Sequence, residues 1–242
     1  MARIPAPPQA VDTMSAAQLD RRRRVLDAVI ELVAAGRVDD WGMKDVAERS
    51  GVALGTIYRY FSSKDHVAAA ALLEWARTLD AGRAVRRSGG GAAGPAGRAG
   101  SGTDRGRTGA GGRTAADSSG GDGSGGDGGP APMADRLVAI LRRAVRAYQQ
   151  QPAFARLVMM TATSTDPFAS ECYAAMGASV YATLGEALDE LEPDERRRVL
   201  DVVGAVWYQA LIEWVNDRKT IAQVHEALES AARLVLAGYT PA

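Results

Sequence analysis

A short stretch of the chain, Leu54–Lys64, carries hydroxyl groups and positive charge at helical spacing. Thr56, Tyr58 and Tyr60 each offer a hydroxyl, and Lys64 follows about one turn later. Hydroxyls beside methyl groups or rings can contact phosphates and base edges, and a lysine at the start of a helix brings its charge to a phosphate. The pattern predicts a nucleic-acid interface, although an ordinary helical hairpin with aromatic core residues would use the same residue types.

Two short helices joined by a glycine turn are predicted to position these groups. Met43–Ser50 forms the first helix, Gly51 breaks it, and Leu54–Phe61 forms the second. Such a pair can place its second helix in the major groove of DNA while the first helix braces it. Helical spacing predicts a buried seam made by Val46, Ala47, Val52, Ile57 and Phe61, with Leu54, Thr56, Tyr58, Arg59 and Tyr60 on other faces.

Two longer helices flank this pair. Apolar residues at three- and four-residue steps predict one over residues 17–35, which Gly36 ends as a C-cap glycine. Ser62 or Ser63 can cap the other, whose pattern fades near Asp80. The run of four arginines at 21–24 is either a phosphate-binding patch or a solvated helix start. Because the formal net charge is 0, any nucleic-acid binding has to be local.

A change in composition divides the chain into two folded parts. Residues 82–130 are dominated by Gly, Ser, Ala, Asp and Arg, and no large apolar side chain follows Val85 in this stretch. Such a segment does not bury enough surface to offset the entropy of ordering. The predicted organisation is a flexible arm at 1–17, a helix-turn-helix domain at 18–66, a connecting helix at 67–81, a disordered Gly-rich insertion at 82–130 and a helical domain at 131–242.

The second folded part is predicted to be helical as well. Helical patterns cover residues 133–151, 153–164, 167–191, 194–217 and 220–237, with prolines at the junctions. No segment alternates as a half-buried strand does, so the predicted class is all-α. The single cysteine, Cys172, and the lack of an apolar run of about 18 residues or a secretory start predict a soluble, cytoplasmic protein.

An enzyme is the main alternative of a different class. The chain has two histidines, His66 and His225, both expected on helix surfaces, and Cys172 has no neighbouring histidine. The sequence contains no metal-spaced cluster, nucleotide-binding loop or nucleophile elbow. We therefore predict a protein that is not an enzyme, with no catalytic residues, no metal and no cofactor.

Residues 46–64, which read VAERSGVALGTIYRYFSSK, resemble the DNA-binding signature of the TetR family of repressors. The resemblance implies an N-terminal three-helix helix-turn-helix domain, a C-terminal helical ligand-binding and dimerisation domain, and binding to palindromic operator DNA as a homodimer. The positions that it implies touch DNA are Lys44, Leu54, Gly55, Thr56, Tyr58, Tyr60 and Lys64. The family often has His where Tyr60 stands.

Residues 142–236 are similar to actinobacterial TetR-like repressors of sterol and cholesterol degradation, notably at RAYQQQP (146–152) and VWYQALIEW (206–214). In TetR-like proteins helices five to eight enclose an effector and the last two helices pair with their twins. Aromatic and Met side chains line irregular pockets well. The predicted ligand-binding residues are Tyr148, Phe154, Leu157, Met160, Phe168, Tyr173, Met176, Trp207 and Trp214.

The resemblance implies an apolar effector, a steroid or a fatty acyl-CoA, that releases the DNA. Control by a docked protein partner, or by a polar or cationic ligand, is the alternative. A closed core without a cavity, or a large exposed apolar patch, would favour the docked partner.

Overall fold

The computed structural model of the protein describes residues 7–89 and 131–239, and within these ranges the chain is helical without a strand. The all-α class expected from the sequence is confirmed. The helices are α1 (Ala16–Ala34), α2 (Met43–Ser50), α3 (Leu54–Tyr60), α4 (Lys64–Gly89), α5 (Met133–Gln150), α6 (Pro152–Ala162), α7 (Pro167–Gly185), α8 (Pro193–Val215) and α9 (Ile221–Leu236). None of these helices is long and apolar enough to cross a membrane.

Short polar contacts and one left-handed glycine set the boundaries of the first helices. The backbone N–H of Ser15 donates to the side chain of Gln18 at 2.7 Å, and that of Gly42 donates to Asp45 at 2.7 Å. Each bond satisfies a donor that the first turn of a helix leaves free. Gly51 ends α2 with φ of +65°, a conformation that residues with a Cβ rarely adopt. The turn between α2 and α3 therefore depends on this glycine.

Helix α4 extends further than its apolar pattern predicted. The helix continues past Asp80 to Gly89, so residues 82–89 of the predicted insertion are helical. Alanine and arginine, which are frequent here, rank among the strongest helix formers, and they sustain a helix without an apolar stripe. The rest of the predicted insertion, residues 90–130, lies outside the described residues, as do positions 1–6 of the predicted arm.

Residues 7–15 of the predicted flexible arm pack against the helix-turn-helix. The N–H of Gln9 donates to the backbone oxygen of Arg59 at 2.9 Å, where α3 ends. The side chain of Gln18 donates to that of Gln9 at 3.1 Å, and Met14 is buried. These contacts hold the arm because they bury an apolar side chain and satisfy a carbonyl that the last turn of α3 leaves free.

Two hydrophobic cores organise the described residues. The first core contains the inward side chains of α1 to α4 and also Phe154, Leu157 and Val158 of α6 and Met176 of α7. The second core joins α5, α8, α9 and the end of α7. Helices α6 and α7 therefore pack with the N-terminal helices, although they lie in the C-terminal half of the sequence.

The helix predicted over 167–191 ends early. Helix α7 stops at Gly185, and a single 3-10 turn follows at Glu186–Leu188. Arg196 of α8 donates to the backbone oxygens of Leu188 and Leu191, both at 3.0 Å. Because a side chain from another helix satisfies these carbonyls, the chain can leave the α-helix here, and the leucine side chains are buried in the second core.

Candidate nucleic-acid interface and adjoining clefts

The seven-residue helix α3 is held against α2 by the seam that its spacing predicted. Val46, Val52, Ile57 and Phe61 are buried in the first core, and Ala47 packs against it. Because the seam uses one side of α3, the opposite side is open to a partner. The prediction of a braced second helix is confirmed at these positions.

The open side of α3 carries two exposed positions that were predicted to contact DNA. Tyr58 is 49% exposed, which is high for a large aromatic side chain, and Gly55 beside it is also exposed. Lys44 at the start of α2 is exposed as well. Thr56 and Leu54 are half-buried, and Leu54 packs against the first core. The open face of α3 therefore offers a phenol ring and bare backbone, and α2 adds an exposed positive charge at Lys44.

Tyr60 does not share this open face, contrary to its predicted outward direction. Its side chain is only 3% exposed, and its hydroxyl accepts a hydrogen bond from Nε of Arg21 at 3.3 Å. The reason is helical geometry, because positions three and four residues after Ile57 point to the same side as Ile57. Tyr60 and Phe61 thus both turn inward.

Lys64 is held by the turn between α1 and α2. Its ammonium nitrogen lies 4.6 Å from the ring centroid of Trp41 and donates to the backbone oxygen of Asp39 at 3.2 Å. A cation over an indole face is attracted by the ring quadrupole. The Lys64 side chain is half-buried, and its charge lies at the N-terminus of α4.

Three of the four arginines at 21–24 make contacts within the protein. Arg21 bonds to Tyr60, and Arg22 stacks over Phe61 at 5.2 Å from the ring centroid. Arg24 donates to the backbone oxygen of Ser50 at 3.2 Å. Burial lowers the pKa of the Arg22 guanidinium. The arginine run therefore stabilises the packing of α2 and α3 against α1. Neither predicted role, a phosphate-binding patch or a solvated helix start, included these contacts.

His66 is buried, contrary to the expected surface position. It is 7% exposed, and its ring lies 5.2 Å from that of Phe61 and 5.4 Å from that of Phe168. Nδ1 of His66 accepts a hydrogen bond from the N–H of Ser62 at 3.1 Å. The pKa of His66 is lowered to about 4, mainly by burial and also by the charge of Arg22, while Asp166 acts in the opposite direction. Phe168, predicted to bind ligand, packs here instead.

A cluster of four aromatic side chains links α4, α5, α6 and α8. Trp75 stacks on Phe154 at 4.3 Å between ring centroids and lies 5.3 Å from Tyr148, which in turn lies 5.8 Å from Trp207. The indole N–H of Trp75 donates to the side chain of Gln151 at 2.9 Å. Burial raises the pKa of the Tyr148 phenol. The structure thus brings three predicted ligand residues together, and Phe154 among them is fully buried in the first core.

Two neighbouring clefts lie between the C-terminal helices and the α1–α2 turn. The larger has a volume of about 530 Å³, and the smaller about 330 Å³. Met160 lines the larger cleft and Trp214 the smaller one. The larger cleft is lined by Asp39, Arg156, Met159, Met160, Thr163, Tyr208, Ile212, Val215 and Asn216.

Arg156 lines both clefts and is the residue there that the sequence interpretation missed. Its side chain is exposed, and it makes no ion pair within residues 7–89 and 131–239. The only signal for Arg156 in the sequence is its positive charge on α6, one turn before Met160. Tyr208 and Met159 were equally visible in the sequence, but their direction depends on how α6 and α8 pack.

The remaining predicted ligand residues belong to the first core. Leu157 and Met176 are buried in it, and Tyr173 packs against its edge. His225 is half-buried instead of lying on the surface, with an Nδ1 atom that has no hydrogen-bond partner in the described part of the chain. Burial lowers the pKa of His225, and Arg142 and Arg146 lower it further.

Two family models match the chain. Residues 25–71 match the model of bacterial regulatory proteins of the tetR family, and residues 131–235 match the tetracyclin repressor-like C-terminal domain. The chain belongs to the TetR family. This membership confirms the family predicted from residues 46–64, and a TetR-family regulatory protein is not an enzyme.

Similar TetR-family proteins include three HTH-type transcriptional repressors named KstR. The protein of Rhodococcus jostii is 27% identical over 226 residues, which cover 93% of this chain and 87% of that protein. The protein of Mycolicibacterium smegmatis is 26% identical, with coverage of 92% and 90%. The protein of Mycobacterium tuberculosis is 26% identical over 241 residues, with coverage of 96% and 91%. The subgroup resemblance predicted from residues 142–236 is confirmed.

Solved structures of the TetR family share the fold. A TetR transcriptional regulator from Rhodococcus sp. RHA1 superposes with a TM-score of 0.65 at 22% identity, covering 93% of this chain and all of that one. A structure described as a TetR-family transcriptional regulator from Mesorhizobium loti gives a TM-score of 0.53 at 14% identity, covering 94% of this chain and all of that one.

Proposed function

We propose that this TetR-family protein is a transcriptional repressor that binds near-palindromic operator DNA as a homodimer and is released by a small apolar effector. The observation that carries the DNA-binding part is the open face of α3, where Tyr58 is exposed while the opposite face is locked into the core. Lys44 and Lys64 flank this face with positive charge. Two copies related by a two-fold axis would present two such helices to successive half-sites.

The test of DNA binding uses a duplex that the protein itself selects from random-sequence DNA, followed by fluorescence polarisation across a salt series. Tyr58→Ala should weaken binding to the selected duplex, because it removes contacts to the groove. Lys64→Ala should weaken it and also lower the slope of log K against log salt by about one. Arg143→Ala is the matched control, since Arg143 is exposed on α5. Unchanged affinity in both interface variants would contradict the assignment of α3.

Exposed apolar side chains on α8 and α9 support the homodimer. Leu234 of α9 is 77% exposed and Val202 of α8 is 47% exposed, while the opposite faces of both helices fill the second core. A second copy packed on this side would bury both side chains, as an isologous interface does. Leu234→Glu should give a monomer in light-scattering chromatography. Leu19→Glu is the control, because Leu19 is also exposed but lies on α1.

The larger cleft supports an effector with an apolar body and an acidic group, as a fatty acyl-CoA or steroid thioester would have. Met159, Met160 and Ile212 give it apolar lining, and Arg156 offers its guanidinium donors to a phosphate or carboxylate. The KstR relatives are named transcriptional repressors, which agrees with the repressor part of the proposal. Asp39, whose backbone oxygen holds Lys64, also lines this cleft, so an occupant would lie beside a predicted DNA contact.

A panel of acyl-CoA and steroid thioesters tests the effector, with free coenzyme A as the control. A member of the panel should raise the melting temperature and displace the DNA, and Met160→Trp, which fills the cleft, should blunt both effects while leaving DNA binding intact. Arg156→Gln should weaken the response to thioesters more than the response to an uncharged steroid. Stabilisation by a polar or cationic compound alone would overturn the apolar effector, and capture of a protein partner without any ligand response would favour the docked-partner alternative.

A further inference from the structure

One carboxylate connects the C-terminal helices to the turn that follows α3. Asp166, in the loop before α7, uses Oδ1 to accept hydrogen bonds from the backbone N–H of Phe168 at 2.9 Å and of Ala169 at 3.2 Å. Its other oxygen, Oδ2, accepts hydrogen bonds from the hydroxyls of Ser62 at 2.8 Å and Ser63 at 2.5 Å. The same side chain therefore caps α7 and holds the turn between α3 and α4.

A second contact runs in the opposite direction across this junction. The hydroxyl of Ser164 donates to Oδ2 of Asp65 at 2.6 Å, and the same hydroxyl accepts from the N–H of Asp166 at 3.2 Å. Each element thus supplies both a carboxylate and a hydroxyl to the other. Hydrogen bonds to an ionised group are about twice as strong as neutral ones, so the junction resists sliding.

The carboxylate of Asp166 is in its ionised form at neutral pH. Partial burial works against ionisation, but the hydrogen bonds from Ser63, Ser62 and the two α7 amides outweigh it and lower the pKa of Asp166. The buried His66 ring packs beside it against Phe168. The junction therefore combines a charged contact with an apolar one.

We propose that Asp166 is a positioning residue, which sets the orientation of α3 against α7 and passes the occupancy of the cleft to the DNA interface. This inference rests on the proposed function, since it describes how the DNA-binding face is regulated. The path is short along the chain. Met160 and Thr163 at the end of α6 line the larger cleft, Asp166 follows three residues after Thr163, and its serine partners begin two residues after the last residue of α3.

The bonds of Asp166 give a direct route from the loop before α7 to the turn between α3 and α4. A ligand that displaces the end of α6 would move the loop at 163–166, and the bonds of Asp166 would carry that movement to Ser62 and Ser63 directly. Phe61, just before these serines, is fully buried and anchors the end of α3. Helix α3 would therefore move together with the turn. Coupling of this kind acts in both directions, because linkage between two binding events is reciprocal.

Hydrogen exchange in the free protein tests the coupling without any ligand. Ser62→Ala removes one bond to Asp166 and the 3.2 Å contact of the same hydroxyl with Nδ1 of His66, but leaves the α7 cap made by Oδ1 intact. We expect the peptide covering residues 164–170 to exchange about fivefold faster or more in this variant. Ser170→Ala is the matched control, because the Ser170 hydroxyl bonds only to the backbone oxygen of Asp166 within the same segment, at 3.1 Å. Ser62→Thr keeps the hydroxyl and should restore slow exchange.

The second readout adds the selected operator duplex. Saturating duplex should slow exchange at 164–170 in the wild type, in Ser170→Ala and in Ser62→Thr, but not in Ser62→Ala, even though all four bind the duplex. A merely structural role of Asp166 would change the melting temperature and leave this response in place. Equal exchange at 164–170 in Ser62→Ala and wild type, without and with duplex, would overturn the proposal. Failure to select any duplex would overturn the proposed function, while the exchange of the free protein would still decide the coupling.

Discussion

The two hydrophobic cores differ in what they join. The first core mixes helices from both halves of the sequence, because α6 and α7 contribute Phe154, Leu157 and Met176 to the core of the DNA-binding helices. The second core contains only C-terminal helices, and the outer face of α8 and α9 leaves Leu234 exposed. The boundary between the two cores therefore lies within the C-terminal half of the sequence and not at the Gly-rich segment.

The polar contacts at the borders of the two cores differ in their burial. The first core is bordered by the junction of Asp166 with Ser62 and Ser63, which is partly buried and connects distant parts of the chain. The second core is bordered by ion pairs that also join distant parts of the chain, such as Arg233 with Asp135 at 2.9 Å, whose side chains are 51% and 46% exposed. The first core therefore borders the contacts through which we propose that movement reaches α3, and the second core contains α8 and α9, the helices of the proposed dimer.

The largest expected effect comes from truncating one buried side chain in each core. Phe154→Ala removes a buried ring stacked on Trp75 and should lower the free energy of unfolding by about 3–5 kcal/mol, and Leu228→Ala in the second core by about 2–5 kcal/mol. Urea denaturation measures both. Hydrogen exchange should then separate them, because Phe154→Ala should speed exchange in α1 and α4 and Leu228→Ala should not. If Leu228→Ala loosened α1 as much, the division into two cores would be wrong.

Acid should affect the first core more than the second, because His66, which packs on Phe61 of the first core, is buried, while His225 on α9 is only half-buried. The pKa of His66 is lowered to about 4 in the folded protein, so the unfolded chain takes up the proton first as the pH falls below about 6.5. Stability should decrease between about pH 6.5 and 4, on the order of 2 kcal/mol after allowance for solvent screening. The pKa of His225 is lowered too, and its variant should change the pH dependence less.

Denaturation curves from pH 8 to pH 4 measure this difference in His66→Asn and His225→Asn. Asparagine can accept the hydrogen bond from Ser62 but does not titrate, so His66→Asn should flatten the pH dependence even if it lowers stability overall. Asp166 adds a loss in the same direction only at lower pH, since its pKa is below its usual value. A steeper pH dependence in His66→Asn would contradict the buried, neutral state of His66.

The smallest effects are expected at arginines on the borders of the two cores. Arg233→Ala removes surface ion pairs with Asp135 and Glu229 and should cost about 1 kcal/mol or less. Arg22→Ala removes a partly buried cation from the ring of Phe61 and should cost about 1–2 kcal/mol. Thermal denaturation of the two variants side by side measures the difference. A larger loss from Arg233→Ala would mean that the second core depends on its surface charges.

Local patterns predicted most of the elements, and contacts between distant residues explain the differences. Helical spacing and Gly51 predicted α2, the turn and α3, because each depends on neighbours within a few residues. The burial of His66 depends on Phe168, which lies on α7. The proline at position 167 indicated the start of a helix, but nothing local indicates that the second carboxylate oxygen of Asp166 meets Ser62, which is 104 positions away.

The candidate site could be predicted only where its residues share one helix. Tyr58 and Gly55 lie on the open face of α3 as expected, while the predicted pocket residues Leu157 and Met176 lie inside the first core. An apolar side chain on a helix can face a core or a cavity, and its residue type is the same in both cases. The arrangement of α6, α8 and the α1–α2 turn decides which it is, and this arrangement depends on packing between helices.

The position of Lys64 over Trp41 gives the protein an optical signal of its own. The ammonium lies 4.6 Å from the centre of the indole ring, so its field acts on one chromophore among the four tryptophans of the chain. A DNA phosphate that moves Lys64 away from the ring would remove that field and change the emission wavelength and the quantum yield of Trp41. Tryptophan fluorescence recorded with phenylalanine in place of the other three indoles would then follow occupancy of the DNA face in real time, without any attached dye.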